Sequence, residues 1–316
     1  MSIFIRIFIM FCAMHSLPTV AFADGVLSGT ELEKVLPKVV RVGFSNRILA
    51  DADPRDAQAA MELWTKEMSR FMGVKTAPQT VIFRNTGDML EALNKGQLSI
   101  VSLTAVEYLK LRNEIGLTPS VIGLSAMGKE REFLLIAHRD SGIRSVADLR
   151  GKTITLLSAT KQEVSHIWLD VLLMREGKRD RSSFFRQVKE ANSPSQAIIA
   201  VFFRKSDAAI ISRGAFEISK VLNPQVGSQL VVVAESKSLM GDFTCIPKTV
   251  NEKFRESIEY AALHLHERPV GKQILTMFHI EKVVPFHSYY LDGIVELLRE
   301  REKLATKLGK KKDAHD

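Results

Sequence analysis

Short apolar runs alternate with helix-type patterns along almost the whole chain. Residues 39–44 form a strand-type run, and Met61, Trp64 and Met68 recur after it at helical spacing. The alternation continues to residues 230–234. A pattern of this kind predicts an α/β protein with largely parallel strands, because strands joined through helices run in the same direction.

The alternation divides into two α/β sets, and a chain of 316 residues tends to form two domains instead of enlarging one core. Residues 243–247 return towards the first set. We therefore predict two lobes joined by more than one crossing. The predicted ranges are 24–138 plus 238–298 for lobe one, 139–237 for lobe two and 299–316 for a basic C-terminal tail.

The first 23 residues predict export. Arg6 is followed by the mostly apolar stretch 7–20, and the Ala-Phe-Ala of residues 21–23 is the small-x-small pattern that signal peptidase accepts. An uncleaved anchor is the alternative, because about 20 apolar residues can span a bilayer. The polar residues and the proline within 16–19 favour cleavage, so that the mature chain begins near Asp24.

Cysteine and charge exclude several classes of protein. Cys245 is the only cysteine after the signal segment, so an intramolecular disulfide is excluded there. The net charge is +8. Its concentration in residues 299–303 and 310–312 is typical of a solvated helix end and not of a nucleic-acid arm. The remaining positive charge is compatible with an anionic ligand.

Catalytic and metal-binding motifs are missing from the sequence. It contains no Gly-x-Ser-x-Gly, His-Glu-x-x-His or Cys-x-x-Cys motif. His264 and His266 are two residues apart and would lie on different faces of a helix. We therefore predict no enzyme, no bound metal and no cofactor.

Hydroxyl side chains stand at three predicted strand-to-helix junctions. They are Thr104 at the first, Ser158 with Thr160 at the second, and Ser193 at the third. Ligands of open α/β sheets bind at the carboxyl ends of strands. Helix N-termini there present unpaired N–H groups and favour anions. The pattern predicts an anion site.

The same hydroxyls are also explained as helix caps. Thr104, Thr160 and Ser193 each have Glu or Gln three residues later, the spacing of a capping box. A capping hydroxyl can still donate its own proton to a bound oxyanion. Both interpretations therefore stay open.

Two longer stretches resemble the phosphonate- and phosphate-binding periplasmic components of ABC transporters. Residues 91–108, EALNKGQLSIVSLTAVEY, resemble the family's A-L-x-x-G-x-x-D run, short strand and small-residue loop before a tyrosine. Residues 133–152, FLLIAHRDSGIRSVADLRGK, are similar to its strand, D-S-G-I turn and D-L-x-G-K segment. The resemblance covers most of residues 40–290.

The resemblance implies a type II periplasmic binding protein: two Rossmann-like lobes joined by a hinge, closing over a ligand. Its ligand positions map onto Thr104 and Tyr108 in lobe one and onto Ser158 and Thr160 in lobe two. Ser45, Ser193 and Arg213 are further candidates. Tyr108 is equally explained as a helix-surface aromatic, and Arg213 as a solvated arginine.

This chain departs from the family pattern at several positions. Ala159 and Lys161 stand where the family often has a Gly/Ser-rich helix start, and Ser99 replaces its aspartate. Ser212 and Arg213 stand where members that bind an amino-phosphonate would have a carboxylate. We hypothesise a ligand without a cationic amine.

The resemblance implies a periplasmic solute-binding protein that delivers a small phosphorus oxyanion (phosphonate, phosphate or phosphite) to an ABC transporter permease. We expect a monomer with no nucleic-acid partner. The alternative is a binding protein that reports its ligand to a membrane receptor or histidine kinase, because both classes use the same clamp. An enzyme on this fold is the remaining alternative.

Overall fold

The computed structural model describes residues 26–49, 54–124, 130–160 and 162–313. The predicted signal segment 1–23 lies outside these ranges. Within them, no helix is both long enough and apolar enough to cross a bilayer.

Strands occur along the whole described chain. They are β1 (Arg41–Ser45), β2 (Gln79–Phe83), β3 (Ile100–Thr104), β4 (Leu117–Leu124), β5 (Glu130–Arg131), β6 (Phe133–His138), β7 (Thr153–Leu157), β8 (Gln187–Ala191), β9 (Ala208–Ser212), β10 (Leu230–Glu235), β11 (Leu239–Met240), β12 (Asp242–Pro247) and β13 (Lys282–Pro285).

Helices connect and cover these strands. They are α1 (Gly29–Glu33), α2 (Pro54–Phe71), α3 (Thr86–Asn94), α4 (Ala105–Leu111), α5 (Glu163–Arg175), α6 (Arg181–Phe184), α7 (Pro194–Phe202), α8 (Arg213–Leu222), α9 (Pro224–Gln229), α10 (Glu252–Leu263), α11 (Pro269–Met277) and α12 (Asp292–Asp313). A 3₁₀ turn, Asn46–Leu49, follows β1 directly.

The strands form two main sheets, one for each lobe. The first has the order β13-β4-β12-β3-β1-β2 and the second the order β10-β6-β9-β7-β8. In each sheet a parallel part, β2-β1-β3 or β8-β7-β9, is extended by antiparallel strands. The prediction of largely parallel strands is therefore wrong for the antiparallel strands. One of them is β12, which the chain forms in the first sheet after it returns from lobe two.

The sheets also correct the predicted lobe boundary at residue 138. Strand β6 was assigned to lobe one, but it pairs with β9 and β10 inside the second sheet. All six of its residues are buried, which is typical of a central strand covered on both faces. A strand of this kind belongs to the sheet that buries it.

Two crossings connect the lobes and lie side by side. One leads from β4 through β5 to β6, and the other from β10 through β11 to β12. β5 and β11 pair as a short antiparallel ribbon. One continuous apolar cluster also includes residues of both lobes and of the second crossing, such as Leu103, Leu156 and Met240. The lobes are therefore joined through packed apolar side chains as well as through the chain.

Amphipathic helices cover the sheets as the sequence predicts. Met61, Met68 and Phe71 of α2 are buried against Val42 and Phe44 of β1. Burying a side chain of this size contributes about 1.5–3 kcal/mol. The predicted apolar face of α2 is confirmed.

The segment predicted as a basic tail is the second part of α12, as far as Asp313. This helix packs along α5 of lobe two. Arg175 of α5 donates to Glu300 of α12 through Nε at 2.8 Å and Nη2 at 2.9 Å. The described part of this segment, residues 299–313, therefore continues a helix that is docked on lobe two and is not a separate tail.

The Arg175–Glu300 pair predicts a pH-dependent contribution to stability. Its hydrogen bond from Arg175 lowers the pKa of Glu300 in the folded protein. The pair therefore stabilises the fold above about pH 4.3, and this contribution is lost as the pH falls through the lowered pKa. Glu300→Gln should lower the free energy of unfolding by about 0.5 kcal/mol at pH 7, because the pair is partly exposed.

Urea unfolding at pH 7 and at pH 3 measures this effect. Glu302→Gln, an exposed change on the same helix, is the matched control. An equal destabilisation by Glu300→Gln at both pH values would contradict the prediction.

Candidate functional site

Residues at or just after the ends of β1, β3 and β7 line one narrow cleft between the lobes. Its polar lining consists of Arg47, Thr104, Thr160, Gln162, Glu163 and Asp242. The free volume is about 40 Å³. A space of this size holds only a few waters at roughly 10–15 Å³ each, so the lobes stand close together here.

On the lobe-one side, the Glu107 carboxylate is surrounded by hydrogen-bond donors. It is 2% exposed. Its Oε1 accepts from the Ser45 hydroxyl at 2.8 Å and from the Thr86 hydroxyl at 3.4 Å. Its Oε2 accepts from the backbone N–H and hydroxyl of Thr104, at 3.0 and 3.1 Å. Arg47 Nε lies 3.7 Å from Oε1. The Glu107 carboxylate thus accepts hydrogen bonds from a group of donors of the kind that binds anions.

The capping box predicted at Thr104 is confirmed, because Thr104 Oγ1 accepts from the Glu107 N–H at 3.2 Å. Ser45 is 1% exposed, and its proton is directed to Glu107. Two hydroxyls predicted to contact ligand therefore bind a carboxylate of the protein itself in this structure.

On the lobe-two side, the hydroxyls of Ser158 and Thr160 lie 3.0 Å apart and bond to each other. Helix α5 begins at Glu163, with Gln162 as its N-cap and no side-chain cap. The capping box predicted for Thr160 and Glu163 is therefore wrong. The helix starts two residues later than that pairing requires, which leaves the Thr160 side chain at the cleft.

His166 of α5 supports the loop that carries Ser158 and Thr160. Its Nε2 lies 2.6 Å from the Leu157 carbonyl, and its Nδ1 lies 2.7 Å from Arg181 Nη1. Arg181 in turn pairs with Asp170. Burial lowers the pKa of His166. A neutral ring that donates from Nε2 and accepts at Nδ1 satisfies both contacts, so the loop is held at its β7 end.

Ion pairs join the two lobes across the cleft. Glu163 Oε1 accepts from Lys110 Nζ of α4 at 3.2 Å. Glu163 Oε2 lies 3.5 Å from Nη1 of Arg47. Arg47 therefore stands between two carboxylates, Glu107 of its own lobe and Glu163 of the other.

Tyr108 and Ser193 do not line the cleft. The Tyr108 ring is 9% exposed and packs edge-to-face on Phe243 at 5.2 Å, and burial raises the pKa of its hydroxyl. Ser193 caps α7 by accepting from the Gln196 N–H at 3.2 Å. The Gln196 side chain accepts from Asn192, so this cap is only half of the predicted box.

Arg213 comes directly after β9, at the edge of the second sheet where β7 also ends. Its guanidinium donates to the carboxylates of Glu132 and Glu235. This arginine is thus neither simply solvated nor placed in the cleft lining, because carboxylates of its own lobe bind it.

Sequence reasoning missed Arg47, Lys110 and the acidic partners that bind them. Arg47 stands two residues after Ser45 at the end of β1, so the strand-end rule could have identified it. Glu107 and Glu163 were considered only as members of capping boxes. Their contacts with Ser45, Arg47 and Lys110 join residues 53 to 116 positions apart along the chain, and no local pattern predicts such contacts.

A larger groove of about 380 Å³ lies at the opposite, amino-terminal edge of the second sheet, beside the starts of β7 and β8. Its basic lining residues are Arg186, Lys189, Arg204 and Lys205. Arg204 has a φ of 57°, a left-handed conformation that favours glycine. The groove shares no residue with the cleft, so it provides a control for charge-removal experiments there.

No group of three or more His, Cys, Asp or Glu side chains in the described ranges could hold a metal ion. The polar groups that the described residues bring to the cleft are hydroxyls, an amide, carboxylates and an arginine. Such groups bind a small polar ligand by hydrogen bonds and charge.

Solved structures share this fold at low sequence identity. A Xanthomonas citri protein bound to chloride ion is 14% identical, with a TM-score of 0.63 over 86% of this chain and 100% of that chain. A binding protein component of an ABC phosphonate transporter from Pseudomonas aeruginosa is 15% identical, with a TM-score of 0.61 over 85% and 88%. PhnD1 from Prochlorococcus marinus in complex with methylphosphonate is 18% identical, with a TM-score of 0.60 over 85% and 100%. These similarities confirm the predicted two-lobed α/β fold.

No curated protein sequence matches the chain. The sequence model of one family, described as the periplasmic substrate-binding protein of phosphonate ABC transporters, matches residues 47–289. The match spans well over half of the 316 residues. The chain therefore belongs to the family of periplasmic substrate-binding proteins of phosphonate ABC transporters.

Proposed function

We propose that this protein captures a small phosphorus oxyanion (phosphonate, phosphate or phosphite) between its lobes and delivers it to the permease of an ABC transporter. The observation that carries the proposal is that Arg47 of lobe one and Thr160 of lobe two line the same cleft. Beside it, Lys110 donates to Glu163 and Ser158 is hydrogen-bonded to Thr160. The protein acts as a monomer in the periplasm after removal of residues 1–23.

Charge and hydrogen bonding across the cleft support an anionic ligand. Arg47 offers a guanidinium that matches the geometry of an oxyanion. The side chains of Thr160 and Ser158 are bonded only to each other among the described residues, so one of the two hydroxyl protons is available for a ligand. The first N–H groups of α5 add a partial positive charge beside them.

When the ligand binds, its anionic group replaces the Glu163 carboxylate as the partner of Arg47 and Lys110. Glu163 now pairs with both Arg47 and Lys110. An oxyanion that enters the cleft competes for these cations and gains the lobe-two hydroxyls as well. Because the bound anion then contacts both lobes, binding favours the closed arrangement over the open one.

The ligand carries no ammonium group in this proposal. Arg213 stands at the strand end where a carboxylate for an amine would be expected, and it is bound to Glu132 and Glu235. A guanidinium has no hydrogen-bond acceptor, so it cannot take the place of a carboxylate that would bind an ammonium group.

A thermal-shift screen tests the proposal with phosphate, phosphite, methylphosphonate and 2-aminoethylphosphonate, with chloride at equal ionic strength as the control. A ligand present at 100 times its Kd should stabilise the fold by about 2.7 kcal/mol. We expect a clear rise in Tm with at least one of the first three anions. Stabilisation by none of the phosphorus oxyanions contradicts the function, and tightest binding of 2-aminoethylphosphonate contradicts the amine-free ligand.

A further inference from the structure

Two buried oxygen atoms in the cleft lack a hydrogen-bond partner among the described residues. They are Oε1 of Gln162 and Oε2 of Glu163, and both residues line the cleft. The Glu163 atom lies 3.5 Å from Arg47 Nη1, close enough for an ion pair but without a hydrogen bond. A buried acceptor without a donor is unfavourable. Neither atom therefore receives a hydrogen bond from the described residues, and a donor on a ligand would stabilise both positions.

Carboxylates surround the cations that pair with Glu163. Among the described residues these cations are Arg47 and Lys110, and Glu107, Glu163 and Asp242 are carboxylates at or beside the cleft. These carboxylates repel a doubly charged anion more strongly than a singly charged one. A singly charged anion that also carries one proton is repelled less by these carboxylates and supplies a donor for one of the two unpaired acceptors.

We propose that the cleft selects the monoprotonated form of a phosphorus oxyanion, whose P–OH group donates to Glu163 with Gln162 as the neighbouring acceptor. The proton stays on the ligand. This inference rests on the proposed function and adds the chemical form of its ligand. Phosphate monoesters lose their second proton near a pKa of about 6, so a P–OH form is present in the neutral range. A sulfonate or sulfate ion carries no such proton there.

Other charged groups lie around Glu163, and any of them that titrates also affects the pH dependence of ligand binding. Arg47 approaches from the turn after β1, Lys110 from α4 and Asp242 from the start of β12. Glu107 reaches Glu163 only through Arg47. His166 lies one turn further along α5, and burial lowers its pKa, so it stays neutral at pH 7 and above.

Methylphosphonate and methanesulfonate form a matched ligand pair, because they have nearly the same shape and differ in the acidic proton. Calorimetry between pH 6 and 9 measures both. We expect the wild-type protein to bind methylphosphonate on the order of 100-fold more tightly at pH 6, since a site built to hydrogen-bond a group rejects an analogue that lacks it. Above the second pKa of methylphosphonate, its affinity should fall about tenfold per pH unit, because the binding form becomes scarce.

Glu163→Gln keeps the shape of the side chain but removes the charge and provides an N–H donor. In this variant we expect discrimination between the two ligands to shrink to within about fivefold and the pH dependence to flatten. Glu217→Gln, a partly exposed change on α8, is the matched control and should behave as the wild-type protein does. Urea unfolding of both variants establishes that each is folded.

The outcomes separate this inference from the proposed function. Binding of phosphorus oxyanions with equal affinity for methanesulfonate overturns the inference alone. Discrimination and pH dependence that persist in Glu163→Gln also overturn it. Absence of binding by any phosphorus oxyanion at every pH overturns both.

Discussion

Replacing Arg47 by alanine should weaken oxyanion binding by about 30- to 150-fold. A hydrogen bond that involves a charged group contributes about 2–3 kcal/mol when its partner is otherwise left buried, and this range corresponds to that change in Kd. Arg47 lines the cleft and lies within ion-pair distance of a carboxylate from each lobe, and its planar guanidinium can bind an oxyanion through two hydrogen bonds, which the ammonium of Lys110 cannot do in the same way. Calorimetry with the anion that gives the largest thermal shift measures the loss.

Arg204→Gly is the matched control for this experiment. It removes the same charge from the basic groove at the far edge of lobe two. The backbone accepts glycine there because φ is 57°. We expect its oxyanion affinity to equal that of the wild-type protein. An equal loss in both variants would indicate a general effect of net charge, and an Arg47→Ala affinity within threefold of the wild type would place the ligand elsewhere.

Replacing Glu107 by alanine should lower the free energy of unfolding by about 3–5 kcal/mol. The change removes a 2% exposed carboxylate, leaves the hydroxyls of Ser45 and Thr104 without their acceptor, and takes away one of the two carboxylates that pair with Arg47. Breaking a buried charge network by removing one partner has a cost of this size. Urea unfolding followed by circular dichroism measures it.

Two further variants serve as comparisons for the loss of stability expected in Glu107→Ala. Glu107→Gln keeps one carbonyl acceptor, so we expect a smaller loss of about 1–3 kcal/mol. Glu217→Ala on the surface of α8 should stay within about 0.5 kcal/mol of the wild-type protein. A loss below about 1 kcal/mol for Glu107→Ala would show that the donors around it are satisfied by water instead.

The amphipathic helices and most strands could be predicted from the chain alone, because their periodicity reflects which residues are buried. Met61, Met68 and Phe71 lie on the buried face of α2 for this reason. The cap at Thr104 was also predictable, since its partner Glu107 is only three residues away. The cap predicted at Thr160 failed because α5 begins only at Glu163, and spacing alone cannot tell where a helix starts.

The sheet to which β6 belongs could not be predicted from the sequence of the strand. A fully apolar strand is equally suited to the middle of either sheet, and only its pairing with β9 and β10 assigns it to lobe two. The same holds for residues 299–313, whose charges resemble a solvated helix end. Their contact with α5 depends on Arg175, more than 100 positions earlier in the chain.

The local sequence pattern therefore predicts the α/β elements, the two lobes and the hydroxyls at strand ends, because each prediction depends on residues that are close together along the chain. The contents of the cleft do not follow in this way. Ser45 meets Glu107, and Glu163 meets Arg47 and Lys110, only after two sheets bring distant strand ends together. Burial then makes these contacts selective, because an acceptor shielded from water must find its donor in the protein or in a ligand.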